Sequence, residues 1–334
     1  MEEGVGMRGS SKLRRLAVAV LAASFAAAVS FAPAAGAAPH ARVWTLTTPS
    51  TSPPARAGHA MAYDPVSKQV LVFGGYDDAA YRNDTWTWDG TTWTHQAPAT
   101  SPAPRAGSGI AFDRVTRQLV MFGGFSGSGY LGDTWTWDGS ISSWTRRNTP
   151  TRPPKVSGPM LFTDPVTGHV DMFGGFDGRL FQGITWQWTG TDWQDLHPAN
   201  SATARGAAIA QLDQADHTVV MFSGIASLNA YDTWTWDGAT WTRESPVHQP
   251  PSRFYSASAY EPTLRAVVIF GGGSGDGDLQ DTWEWNGSDW KQLQPGTPPA
   301  KRESQGMTFD PAVHRIVMFG GQVNGSVVND TWTL

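Results

Sequence analysis

Five arginines and a lysine open six similar segments of the chain: Arg56, Arg105, Lys155, Arg205, Arg253 and Arg302. Arginine offers a planar fork of donors that grips a carboxylate with two bonds, which lysine cannot do. A fold that gathers the six would make an anion-binding ring. The plainer alternative is that each cation holds loop carbonyls or a carboxylate of the protein itself. Glu303 stands next to Arg302. A carboxylate beside an anion-binding arginine is what proton transfer on an acidic substrate would need. Other chemistry is missing. With no cysteine there is no thiol nucleophile, disulfide or thiolate metal site. The eight histidines have no paired ligand spacing such as H-x-x-x-H. The expectation is no catalytic set, no metal and no cofactor.

The elements behind these residues repeat. Six aromatic marks end short apolar runs: Phe73-Gly74-Gly75, Phe122-Gly123-Gly124, Phe173-Gly174-Gly175, Phe222-Ser223-Gly224, Phe270-Gly271-Gly272 and Phe319-Gly320-Gly321. Their spacings are 49, 51, 49, 48 and 49 residues. An apolar run bounded by glycine reads as a buried strand, and the Gly-Gly pairs as unusual backbone angles rather than a phosphate cradle. Asp-Thr-Trp follows in five units, as in Asp84-Thr85-Trp86, and the third has Ile184-Thr185-Trp186. Alternation of Trp and Thr puts the indoles on one strand face. Asp89-Gly90 predicts a two-residue hairpin that would set Trp86 opposite Trp93. Each unit is then four strands, a to d, which is one blade of a β-propeller. The sixth unit stops at Thr331-Trp332-Thr333-Leu334, without strand d, while Val43-Trp44-Thr45-Leu46 has the look of one. The N-terminal strand is expected to complete the last blade and close the ring, which removes exposed sheet edges.

On its Gly-Gly pairs and spaced tryptophans, the chain resembles the kelch family over six repeats. The resemblance implies an all-β, six-bladed propeller with the galactose oxidase-like fold and strand a innermost. Kelch blades usually carry an aromatic between Gly-Gly and the first Trp; Tyr81, Tyr130, Phe181 and Tyr231 suit that place. In a family adaptor that captures acidic peptides, arginines at the start of strand a help line the ligand pocket. The copper chemistry of galactose oxidase needs a Tyr–Cys crosslink, which a chain with no cysteine cannot form.

The b–c loops are constant in length and varied in chemistry, and varied loops on a fixed frame are where binding usually resides. The expected ligand-binding residues are the six cations above together with Tyr76, Phe125 and Phe176, each directly after its Gly-Gly pair. Lys12, Arg14 and Arg15, the apolar run from Leu16 and Ala35-Gly36-Ala37 read as a signal peptide over residues 1–37, exported by the general or the twin-Arg route. Removal of its four basic and two acidic residues takes the net charge from −5 to −7. An acidic protein is poorly suited to nucleic acid. Residues 38–334 are therefore expected to be a secreted monomer without membrane insertion, binding an extracellular protein, peptide or glycan. Alternatives are a carbohydrate-active enzyme similar to a sialic-acid mutarotase and a structural envelope protein.

Overall fold

Residues 42–226 and 230–334 are described in a computed structural model. The signal segment expected over residues 1–37 lies outside them. Every regular element among the described residues is a strand, and no helix there is long and apolar enough to cross a membrane. Six four-stranded antiparallel sheets form the blades. They span residues 60–96, 109–147, 160–195, 209–243, 257–293 and 306–333.

Blade one shows how the repeat folds. Its strand order is Ala60–Asp64, Gln69–Phe73, Thr85–Trp88 and Trp93–Gln96, here strands a to d. Val70 to Phe73 in strand b are at most 1% exposed. A strand covered on both faces needs a continuous apolar run rather than an alternating one. The chain then turns where Gly74 and Gly75 have φ of 67° and 100°, open to glycine and costly for other residues. A Cβ on Gly74 would lie 2.6 Å from the Arg105 carbonyl oxygen, so the glycine also admits the next blade. Strand a of each blade lies against strand a of the next, and that of blade six against that of blade one.

The c–d hairpin is wider than the expected two-residue turn. Trp88, not Trp86, faces Trp93, with ring centroids 5.4 Å apart. The Asp89 carboxylate accepts the N–H groups of Thr91 and Thr92 at 2.8 and 2.9 Å. Those side-chain bonds stabilise a longer loop, and Trp86 meets His95 instead.

Strand-d tryptophans lock the blades together. Trp44, Trp93, Trp144, Trp193, Trp241 and Trp290 are at most 3% exposed. Their indole N–H groups donate to Thr282, Thr331, Thr85, Thr134, Thr185 and Thr233, each opening strand c of the preceding blade, at 2.8–3.1 Å. Each indole also packs on the phenylalanine that ends strand b of that blade, centroids 5.0–5.5 Å apart. Blade six obeys the same rule with strands from both ends of the chain. Thr45–Thr47 pairs antiparallel with Thr331–Thr333, Thr45 opposite Thr333, and Trp44 takes the strand-d tryptophan's place.

Candidate functional site

The arginine series is buried. Arg56, Arg105, Arg205, Arg253 and Arg302 are at most 1% exposed. Each donates to the aspartate before strand c of its own blade. Arg56 forks on Asp84 with two bonds of 2.8 Å, and Arg253 on Asp281 with two of 2.9 Å. Arg105 holds Asp133 and Arg302 holds Asp330 in the same way, while Arg205 reaches Asp232 at 2.7 Å. The carbonyl of Arg105 accepts the N–H of Gly75 in the blade before, so the residue clasps two blades. Burial pushes the carboxyls of Asp84, Asp133, Asp232 and Asp281 up, but the arginine and a nearby indole N–H outweigh it and hold them below the ordinary range.

Lys155 does not belong to this series. Val156 donates to Leu131 and accepts from Gly124, as Arg105 does with Arg82 and Gly75. The arginine position of blade three is therefore Val156, fully buried, and Lys155 is exposed. The matching aspartate position holds Ile184, so both members of the ion pair are replaced by apolar residues at once.

Two residues after the arginine position the chain turns left-handed in every blade. Gly58, Gly107, Gly158, Ala207, Tyr255 and Ser304 have φ between 50° and 67°. Each N–H donates to the carbonyl of its counterpart in the preceding blade, Gly58 to Ser304 included, at 2.8–3.0 Å. Six backbone hydrogen bonds thus form a closed circle at the axis. Side chains in this conformation are strained, yet three blades carry them.

A depression of about 430 Å³ opens over this circle, between the b–c loops. One side of it is an aromatic arc. Tyr76, Tyr81, Phe125, Tyr130 and Phe176 follow ring to ring, centroids 5.3, 5.9, 5.1 and 5.8 Å apart, and Phe181 continues the row beyond the lining, 4.9 Å from Phe176. In blades one to three the residue after the Gly-Gly pair bridges to Ala57, Ala106 or Ser157, small partners that leave the rings uncovered. The other side is polar: Tyr255, Glu303, Ser304 and Gln322. Burial, then the charge of Asp278, pushes the half-buried Glu303 carboxyl up. Burial, then Glu303, does the same for the Tyr255 phenol.

A family model described as the KLHDC2/KLHL20/DRC7 Kelch-repeats domain matches residues 38–197, just under half of the chain. The chain is a kelch-repeat β-propeller. No curated protein matches it. Kelch propellers typically serve as protein-interaction scaffolds. In this kelch propeller the structure brings Tyr76, Phe125 and Phe176 together in the depression and leaves the five arginines outside its lining. Arg302 is spent on Asp330, so it is not available to hold an acidic substrate at Glu303. The open cations gather elsewhere. Arg146, Arg147 and Arg152 line a recess of about 290 Å³ along the outer strand of blade two, with Lys155 packed near its Gly132.

Tyr255, Ser304 and Gln322 were not expected from the residues alone. Their signal is a departure at fixed spacing. Arg-x-Gly holds at Gly58 and Gly107, whereas Arg205, Arg253 and Arg302 are followed two residues on by Ala207, Tyr255 and Ser304.

Proposed function

We propose that this kelch propeller is a secreted, monomeric binding module that holds a segment of an extracellular partner in the central depression of the b–c and d–a face. One observation carries the reading: the sixfold frame is broken at the depression, with an aromatic arc on one side and Tyr255, Glu303, Ser304 and Gln322 on the other. A cavity with an apolar wall and a few convergent polar groups is the usual form of a ligand site. The protein-binding habit of kelch propellers favours a peptide segment as the occupant over a glycan. The basic, then apolar, then small-residue N-terminus supports export, and N-terminal sequencing of the exported protein should begin at Ala38. The mature protein should be screened on peptide and glycan arrays alongside Phe125→Ala and Tyr76→Ala. Binding that both substitutions abolish, with melting unchanged, supports the site. Binding that neither alters would move it off the depression.

A further inference from the structure

We infer that the depression receives a cationic group, the ammonium or guanidinium end of a lysine or arginine side chain of the partner, held between the aromatic arc and the Glu303 carboxylate. This rests on the depression being the ligand site, as proposed above.

Aromatic faces carry negative potential and attract cations, but they also stack on neutral groups, so the arc alone does not select a charge. Glu303 does. Among the described residues its carboxylate has neither an ion-pair nor a hydrogen-bond partner, and everything acting on its proton affinity raises it. The contrast is with Asp84, Asp133, Asp232, Asp281 and Asp330, each answered by an arginine. A half-covered carboxylate without a counter-ion is costly, and a ligand cation would supply the missing partner. The fold makes room for the Glu303 carboxylate itself. At the bridge position where blades one to three carry rings, blade five has Gly273, and any side chain on Gly273 would collide with the Glu303 carboxylate and with Phe254.

The surroundings agree in sign. Among the described residues, no lysine or arginine lines the depression. The b–c loops carry Asp77, Asp78, Asp177, Asp276 and Asp278 against Arg82 and Arg179, and Arg82 is already paired with Asp77. A field of one sign over a recess concentrates ligands of the other. An anionic ligand would meet that field and Glu303 with no compensating cation, because the five arginines that could have supplied one are committed to their own aspartates.

The test uses the mature protein and blocked tripeptides, acetyl-Gly-Xaa-Gly-amide with Xaa Lys, Arg, Gln or Glu, plus cellotriose as a neutral sugar. Binding is read by NMR from the ring signals of the tyrosines and phenylalanines. The Lys or Arg probe should bind about tenfold or more tightly than Gln, the scale of one charge-assisted contact. Glu303→Gln should erase that preference by weakening the Lys and Arg probes, without lowering the melting temperature. Phe125→Ala should weaken every probe. If Gln or the sugar matches the cations and Phe125→Ala weakens them all, the cationic inference is overturned and the depression stands as the site. A preference for the Glu probe overturns it likewise. If no probe at millimolar concentration perturbs the depression rings, both readings fall.

Discussion

Arg253→Val in blade five would remove a guanidinium that makes four hydrogen bonds, to Pro251 and Gly271 carbonyls and to both Asp281 oxygens. Breaking a buried pair from one side costs about 3–5 kcal/mol. Asp281 is 17% exposed and keeps the Trp283 indole N–H at 2.7 Å, which places this variant near the lower end, about 3 kcal/mol. In a domain of this size that lowers Tm by about 5 °C. Asp281→Ile strands a fully buried cation and should cost about 5 kcal/mol. The double variant installs the pair that blade three already has, Val156 and Ile184, and buries neither charge. Apolar replacement of a buried ion pair is often neutral, so the double variant should melt near the parent, with a coupling energy of several kcal/mol. Scanning calorimetry and reversible urea unfolding of all four proteins measure this. Additive losses, or a loss below about 1 kcal/mol for Arg253→Val, would refute the clasp. Acid gives a second reading. Asp281 sits below its ordinary 3.8 in the fold, so its contribution is complete above that pH and is lost as pH falls through the folded value. The double variant should lose that share of acid sensitivity.

Trp44→Ala removes a 3%-exposed indole and its bond to Thr282 and should cost about 3–5 kcal/mol; deletion of residues 43–48 should abolish the cooperative melt, and a truncated protein that melts like the parent would defeat closure by this strand. Asp171 is raised well above its ordinary value by burial and then by Asp164, so its native stability is greatest at acid pH and declines as pH rises through the folded value. Asp171→Asn should therefore be more stable than the parent at pH 8 in urea unfolding, and a less stable variant would count against the raised carboxyl. Ala207→Gly relieves a left-handed alanine and should raise stability by about 0.5–1 kcal/mol without altering ligand affinity. Ser304→Gly should raise it similarly while weakening the ligand, and both quantities come from melting and titration of the same samples.

Blade number and strand order were legible because each blade must bury one strand on both faces and turn on two glycines, and both demands leave contiguous marks. The c–d hairpin was misjudged because its length is decided by where the Asp89 carboxylate finds N–H groups, not by the Asp-Gly pair alone. The arginines were visible, and so were their partners: Asp84 stands 28 residues after Arg56 and Asp133 28 after Arg105. Blade three lacks both members together, and that joint absence is the trace of an ion pair. Assigning the position to Lys155 rather than Val156 hid it. The aromatic half of the depression could be anticipated, since its residues follow the Gly-Gly pairs directly. The polar half could not, because the direction of Tyr255 and Glu303 depends on a left-handed turn that the local residues disfavour.

Closure and recognition make opposite demands on a ring of repeats. Each inter-blade contact is made six times, so the strand-d Trp, its Thr and its Phe recur in all six blades. A site on the axis is shared by all blades, so sixfold repetition would give it six identical walls and little power to orient a ligand. Selectivity must come from departures, and the departures here lie at the axis. The bridge position runs Tyr76, Phe125, Phe176, then Ile225, Gly273 and Gln322, with the aromatic of blade five moved across to Phe254. The circle runs Gly58, Gly107, Gly158, then Ala207, Tyr255 and Ser304. Blades one to three show that glycine closes this circle without strain. Side chains on the other three are strained, and the hydrogen bonds of the circle are no shorter for it. Nothing in the packing of the blades requires that expense. It falls beside Glu303, on the polar side of the depression, where the proposed site needs its selective groups, with the aromatic side left to supply contact area.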